Sequence, residues 1–186
     1  MSLTIEKNII QFFWIGDKIS RLAKLSINWY LMNDNEAHFY AYNNIEGLPN
    51  NTIFKYANSV IAREKIFKYK KQDSYAGFAN LFRYKLLYEK GGFWTDMDIA
   101  CLKKLSTDEP FIFASEGTLA GSYRITNCFI HAEKKLLIME YFYCTALSKK
   151  PEELNWGDTG PKLISEAVVN LNCMIMSVGA GGDLSG

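Results

Sequence analysis

The sequence predicts an α/β fold, a mostly parallel sheet flanked by helices, and three observations carry that expectation. A buried-strand pattern, an amphipathic helix and a second strand follow one another within residues 8–42. A clean helical stripe over 76–90 is stopped by Gly91-Gly92. Short apolar runs then alternate with helical segments toward the C-terminus. Strands that alternate with helices are the pattern of parallel sheets joined by right-handed crossovers.

Each element has its own warrant. Asn8 to Ile15 is apolar and closes on Gly16-Asp17, which reads as a buried strand running into a loop. Ser20 to Met32 sets Leu22, Leu25, Ile27, Trp29 and Leu31 among polar positions, an amphipathic helix. His38 to Tyr42 forms the next strand and ends at Asn43-Asn44. Thr52 to Gln72 reads as a basic helix, with Lys55, Arg63, Lys65, Lys68, Lys70 and Lys71 against Glu64. Such a face is either solvated or attracted to anionic lipid or a phosphorylated acceptor. Ala76 to Lys90 carries Phe78, Leu81, Phe82 and Leu86 at helical spacing, and places Asn80 and Arg83 on one face. An extended segment, Phe93 to Ile99, follows. Phe111 to Ala114 and Cys128 to Ile130 read as strands, and Glu133 to Leu147 as a helix. Asp158-Thr159-Gly160-Pro161 opens a last helix with a capping residue and an early proline. These elements make one expected domain over 1–178, with a Gly-rich, flexible tail over 179–186.

Composition excludes several classes. Of 186 residues, 21 are Lys or Arg and 20 Asp or Glu, a net charge of +1, so a dedicated nucleic-acid binder is not expected. The basic excess lies in the N-terminal half and the acidic excess in the C-terminal half. With 48% hydrophobic and 22% charged residues the chain is neither disordered nor collagenous. Cys101, Cys128, Cys144 and Cys173 lack zinc spacing, and His38 and His131 are the only histidines. Reduced thiols, no membrane-length apolar run and no export signal lead to an expected cytoplasmic location. The basic 55–71 segment would allow peripheral contact with the inner face of the membrane.

The chemistry concentrates at Asp96-x-Asp98. In an extended strand, residues two apart face the same side, so the two carboxylates would converge. Hard oxygen ligands of this kind suit Mg²⁺ or Mn²⁺ and not zinc. Taken alone, the pair also fits surface acids.

The run from Ala79-Asn80 through Arg83, Gly91-Gly92-Phe93-Trp94 to Asp96-Met97-Asp98 resembles the signature of DXD-motif glycosyltransferases. It is most similar to glycosyltransferase family 32 and the catalytic domain of the large glucosylating toxins. Phe12-Phe13-Trp14-Ile15-Gly16 looks like the first strand of that family, and Phe39-Tyr40-Ala41-Tyr42-Asn43 like its second. Asp158-Thr159-Gly160-Pro161 is similar to its Gly-Pro helix start. The likeness covers most of residues 8–165 and implies a GT-A type, Rossmann-like sheet.

It also implies a UDP-sugar donor, Mn²⁺ or Mg²⁺, and transfer with retention to a glycan or lipid-linked glycan acceptor in surface polysaccharide synthesis. By resemblance, Phe13 and Trp14 belong to the donor site, with the Trp14 indole stacked on uracil at the C-terminal end of a strand. Asn43 would bond the base or ribose, and Asn127 would lie near the donor. Asp98 would hold the metal. Asp96 would hold sugar hydroxyls or join the metal set, and Arg83 would contact sugar or phosphates. Asn80 and Trp94 also belong to the implied donor site: Asn80 stands where the family has Asp, and its amide can still bond sugar hydroxyls but adds no charge, while Trp94 stands where the family has Tyr and offers no hydroxyl. Two other readings follow the same residues: a non-catalytic nucleotide-sugar or glycan-binding module, and a toxin-like transferase acting on protein. Aspartate-nucleophile phosphatases also carry Asp-x-Asp, but on the first strand of their fold; here it lies mid-chain, after a helix and Gly-Gly.

Overall fold

The computed structural model describes residues 7–69, 71–117 and 121–171. The Gly-rich tail and Cys173 lie outside the described residues. The elements run β1 (Ile9–Trp14), α1 (Arg21–Met32), β2 (Glu36–Ala41), β3 (Thr52–Tyr56), α2 (Ala76–Lys90), β4 (Gly92–Thr95), β5 (Phe111–Gly117), β6 (Tyr123–Ala132), α3 (Leu137–Ser148) and α4 (Pro161–Leu171).

One sheet orders them β3-β2-β1-β4-β6-β5. The first four strands are parallel, and β6 runs antiparallel to both β4 and β5. A mixed sheet whose parallel part is flanked by helices is the predicted α/β, GT-A type architecture. Alternation along β1 separates two cores. Ile10 and Phe12 join Ile27, Tyr30 and Phe39 beneath α1, with Phe12 edge-on to Tyr30. Phe13 points to the other face, where its ring stacks on Phe82 of α2 at 3.9 Å. Being buried on both faces, β1 reads as an apolar run broken only by Gln11 rather than as an alternating one.

Gly91-Gly92 is required where α2 turns into β4. Both residues have positive φ (69° and 90°), and added Cβ atoms would lie 2.7 Å from the Lys134 backbone nitrogen and 2.9 Å from the Ile9 carbonyl. Only glycine meets both conditions without strain.

The predicted helix over 52–72 does not form. Thr52–Tyr56 instead extends the sheet as edge strand β3, followed by short 3₁₀ turns at Ala57–Ser59 and Arg63–Lys65 and a bridge between Tyr69 and Ser74. Thr, Ile, Phe and Tyr favour a half-buried pleated surface, and that preference outweighs the basic pattern. Lys55 on the edge also discourages further strand pairing. The basic residues are thereby dispersed: Arg63 bonds Asn43, Lys68 pairs with Asp73, and Lys71 bonds Asn155.

Smaller corrections bear on the site. β4 ends at Thr95, so Asp96 and Asp98 do not share a strand face; Met97 and Asp98 form a turn closed by the Ile99 N–H on the Asp96 carbonyl at 3.3 Å. α3 starts at Leu137, after a left-handed Lys135 (φ 67°). Asp158 accepts the Asn155 backbone N–H at 2.8 Å, capping a turn rather than α4 itself.

Candidate active site

A cavity of about 550 Å³ opens beyond the C-terminal ends of β1 and β4. That is where parallel α/β sheets bind ligands, because the loops leaving the strands diverge there. Trp14, the last residue of β1, is on one wall, and Asp96, the first residue after β4, is on another.

The floor is a charged cluster with defined donors. Arg83, 4% exposed on α2, donates from Nη2 to Asp96 Oδ1 at 3.0 Å. Trp94 Nε1 donates to the same oxygen, also at 3.0 Å. The guanidinium lies over the Trp94 ring at 4.6 Å, and its Nη1 donates to the Asn127 carbonyl. The Asp96 backbone N–H donates to the Cys128 carbonyl at 2.7 Å, tying the turn to β6. Trp94 therefore supplies, through its indole N–H, a hydrogen bond to Asp96 that needs no hydroxyl at that position. Burial raises the Asp96 carboxyl above its ordinary range; Arg83 and the Trp94 N–H oppose the rise, and Asp98 adds to it. Asp98 is exposed, at the cavity wall, and makes no ion pair among the described residues.

Below the floor lies a buried amide network. Asn127 Nδ2 donates to Asn80 Oδ1 at 2.7 Å, and Asn80 Nδ2 to Thr159 Oγ1 at 3.3 Å. The Thr159 hydroxyl also meets the Tyr69 hydroxyl at 3.2 Å, and its carbonyl accepts from Tyr84 at 2.9 Å. Gly160 permits this approach: a Cβ there would lie 3.0 Å from Asn80 Nδ2 and 3.1 Å from Asn127 Nδ2.

Phe13, Trp14, Arg83, Trp94, Asp96 and Asp98 thus come together on one cavity, although Phe13 is mainly a core ring. Asn80 and Asn127 lie behind the wall, facing each other rather than the opening. Asn43 is outside it, donating to Asp17 at 3.0 Å and accepting from Arg63 at 2.8 Å. Tyr75, Ser20 and Leu22 line the cavity with no sequence signal to mark them, and Thr159 and Gly160 are legible from sequence only as a helix start. The glycine is the available signal, since a helix entrance alone does not need one.

The donor set fits a hard divalent ion in part. Among the described residues no three His, Cys, Asp or Glu side chains converge on one point. Two carboxylates nonetheless suffice for Mg²⁺ or Mn²⁺ when phosphate oxygens and water complete the shell.

Residues 19–116, just over half of the chain, match the family described as "Glycosyltransferase sugar-binding region containing DXD motif". The chain belongs to that family. The matched stretch of this DXD glycosyltransferase runs from α1 into β5 and includes Arg83, Trp94, Asp96 and Asp98, while Trp14, Asn127 and Thr159 lie outside it. Its fold is similar to "PaToxG Glycosyltransferase", at TM-score 0.61 and 20% identity, over 89% of this chain and 69% of that one. A second solved structure, that of a transferase carrying two cysteine-to-serine substitutions, aligns at TM-score 0.59 and 13% identity, over 89% of this chain and 86% of that one. At these identities the likeness is one of fold. No curated protein matches the chain significantly. No helix among the described residues is long and apolar enough to cross a membrane.

Proposed function

We propose that this glycosyltransferase moves a sugar from a UDP-sugar to a hydroxyl of a glycan or lipid-linked glycan, with retention at the anomeric carbon and with Mn²⁺ or Mg²⁺ held by Asp98 and Asp96. The observation that carries the reading is Asp96 itself. Its Oδ1 takes N–H donors from Arg83 and Trp94 on the floor of a cavity whose walls also present an indole and a second carboxylate.

Each residue then has a physical task. Trp14, 38% exposed, has its indole N–H fixed on the Lys18 carbonyl at 3.1 Å, leaving an oriented aromatic plane for the base. Arg83, held by Asp96 and the Asn127 carbonyl, supplies a fixed cation for the diphosphate. Asp96 is held in one orientation by two donors, and Asp98 reaches the same opening without competing ion pairs among the described residues. The divalent ion, when bound, supplies Lewis-acid stabilisation of the leaving diphosphate. The assignments of UDP, retention and acceptor rest on the resemblance to family 32 and the glucosylating toxins. Within that resemblance a protein acceptor is a further reading.

One observation favours a non-catalytic nucleotide-sugar-binding module instead. Asn80 brings no charge, and its amide is consumed by Asn127 and Thr159. Incubation with UDP-sugars and Mn²⁺ separates the readings: transfer, or slow hydrolysis without acceptor, supports the enzyme, and tight binding without turnover supports the module. In a titration with Mn²⁺, Asp98→Ala is expected to abolish metal-dependent UDP-sugar binding. Full retention of binding would refute the site assignment.

A further inference from the structure

Part of the outward face of α1 is an apolar stripe, flanked by the exposed Arg21 and Asn28. Leu22, Leu25, Trp29 and Met32 follow at intervals of three, four and three residues, so they form one stripe along the helix. Leu22 is 55% exposed, Leu25 is similarly open, Met32 is 80% exposed, and Trp29 is partly covered. The opposite face, Ala23, Ser26, Ile27 and Tyr30, is the one packed on the sheet. α1 also carries Arg21 and Lys24 and no acid, and neither cation is in an ion pair among the described residues. The segment after the Asp-x-Asp turn runs beside this helix, held by Ser26 on the Ile99 carbonyl at 2.6 Å and Asn33 on the Cys101 carbonyl at 2.9 Å. It adds the highly exposed Leu102 and the exposed Lys103 to the patch.

We propose that this face docks on an anionic lipid bilayer, with Leu22, Leu25, Trp29 and Met32 at the headgroup–acyl boundary and Arg21 and Lys24 on the lipid charges. The size of the face selects lipid over protein. A 12-residue helix is roughly 18 Å long, and its four apolar side chains fall well short of the roughly 800 Å² per partner of a stable protein interface. A lipid surface needs only a shallow apolar insertion and negative charge, and α1 offers partners for both. The basic 55–71 segment is the weaker candidate, since Arg63, Lys68 and Lys71 are engaged within the fold.

Leu22 also lines the candidate active-site cavity, so docking would turn the cavity mouth toward the bilayer. Resting on the transferase reading, this directs transfer to hydroxyls borne by membrane-embedded acceptors.

The test is sedimentation of the full chain with phosphatidylcholine vesicles, with and without phosphatidylserine, and needs no nucleotide sugar. Binding is expected only with the anionic lipid. Arg21→Glu/Lys24→Glu should weaken it more than about twenty-fold, at roughly five-fold for each cation lost. Leu25→Ser/Met32→Ser should weaken it by roughly ten-fold or more per side chain. Arg21, Leu25 and Met32 are exposed and Lys24 is half-buried, and an unchanged thermal midpoint certifies the fold of both variants. Lys55→Glu/Lys65→Glu should retain binding. No binding to anionic vesicles, equal binding to phosphatidylcholine alone, or unaltered binding by either α1 variant would overturn the proposal. So would a dimer in sedimentation velocity that Leu25→Ser/Met32→Ser dissolves, which would make the face a contact between copies. Failure here leaves UDP-sugar binding untouched, and failure of UDP-sugar binding leaves the docking result standing.

Discussion

The two aspartates of the motif are chemically alike but structurally unequal, and replacing each with alanine should separate stability from function. Asp96 accepts from Arg83 and Trp94, and Arg83 is almost wholly buried. Asp96→Ala leaves a buried guanidinium N–H and an indole N–H without their acceptor, each worth about 1–3 kcal/mol when water cannot replace it. The Asp96 side chain is 37% exposed, so water recovers part of this, and about 2–4 kcal/mol of lost stability is expected. At about 2–4 °C per kcal/mol for a chain of this size, the midpoint should fall by roughly 4–16 °C. Asp98 is exposed and outside any ion pair among the described residues, so Asp98→Ala should stay within about 0.5 kcal/mol of wild type. Thermal melting of both variants without metal, followed by titration of a UDP-sugar with Mn²⁺, measures the two effects separately. Asp98→Ala should melt like wild type and fail to bind. Equal midpoints for the two variants would show that the Arg83–Asp96–Trp94 cluster does not stabilise the fold as argued.

Three further outcomes follow from the same geometry. Trp14→Ala should weaken UDP binding roughly 5- to 150-fold, the range of about 1–3 kcal/mol for a lost base–aromatic stack, as read by calorimetry. Gly160→Ala should destabilise by about 1 kcal/mol or more in urea unfolding, because its Cβ would crowd both buried amides at 3.0–3.1 Å. Thr159→Ser, which keeps the hydroxyl and adds no bulk, should come closer to wild type. Stability should also fall on mild acidification. Burial holds the His131 imidazole below its ordinary value, against the opposing Glu109 carbonyl and Glu133 charge, so the unfolded chain takes the proton first as pH drops through about 6.5. The contribution is intact above that pH and is lost as pH falls toward the folded value. The urea midpoint should decline over this window in wild type and flatten in His131→Phe, whose ring keeps the contact with Phe93.

What can be read from sequence is what is encoded locally. The position of α1, the limits of α2, the Gly91-Gly92 stop and the parallel order of β1 and β2 follow from periodicity, the glycine stop and chain chirality. The Asp-x-Asp pair, Arg83 and Trp94 stand out because one short ordered run contains them all. Thr52–Tyr56 escapes such a reading because short aromatic and basic segments fit either period, and only pairing with β2 settles their conformation.

The roles inside the site depend on atoms distant in sequence meeting at bonding distance. Nothing in the local pattern tells that the Trp94 indole would serve Asp96, that Asn80 would be taken up by Asn127 and Thr159, or that Asn43 would turn to Asp17 and Arg63. Nor does the period of α1 tell that the stripe running from Leu22 to Met32 faces outward, because a helix has two sides and the sheet buries only one. Chain order alone carries the α/β class, the succession of most elements and the identity of the charged residues, all of which depend on neighbours along the backbone. Which of those charges are paired, which are free and which surfaces stay open is settled by the folded chain, because hydrogen bonds and burial depend on position in space.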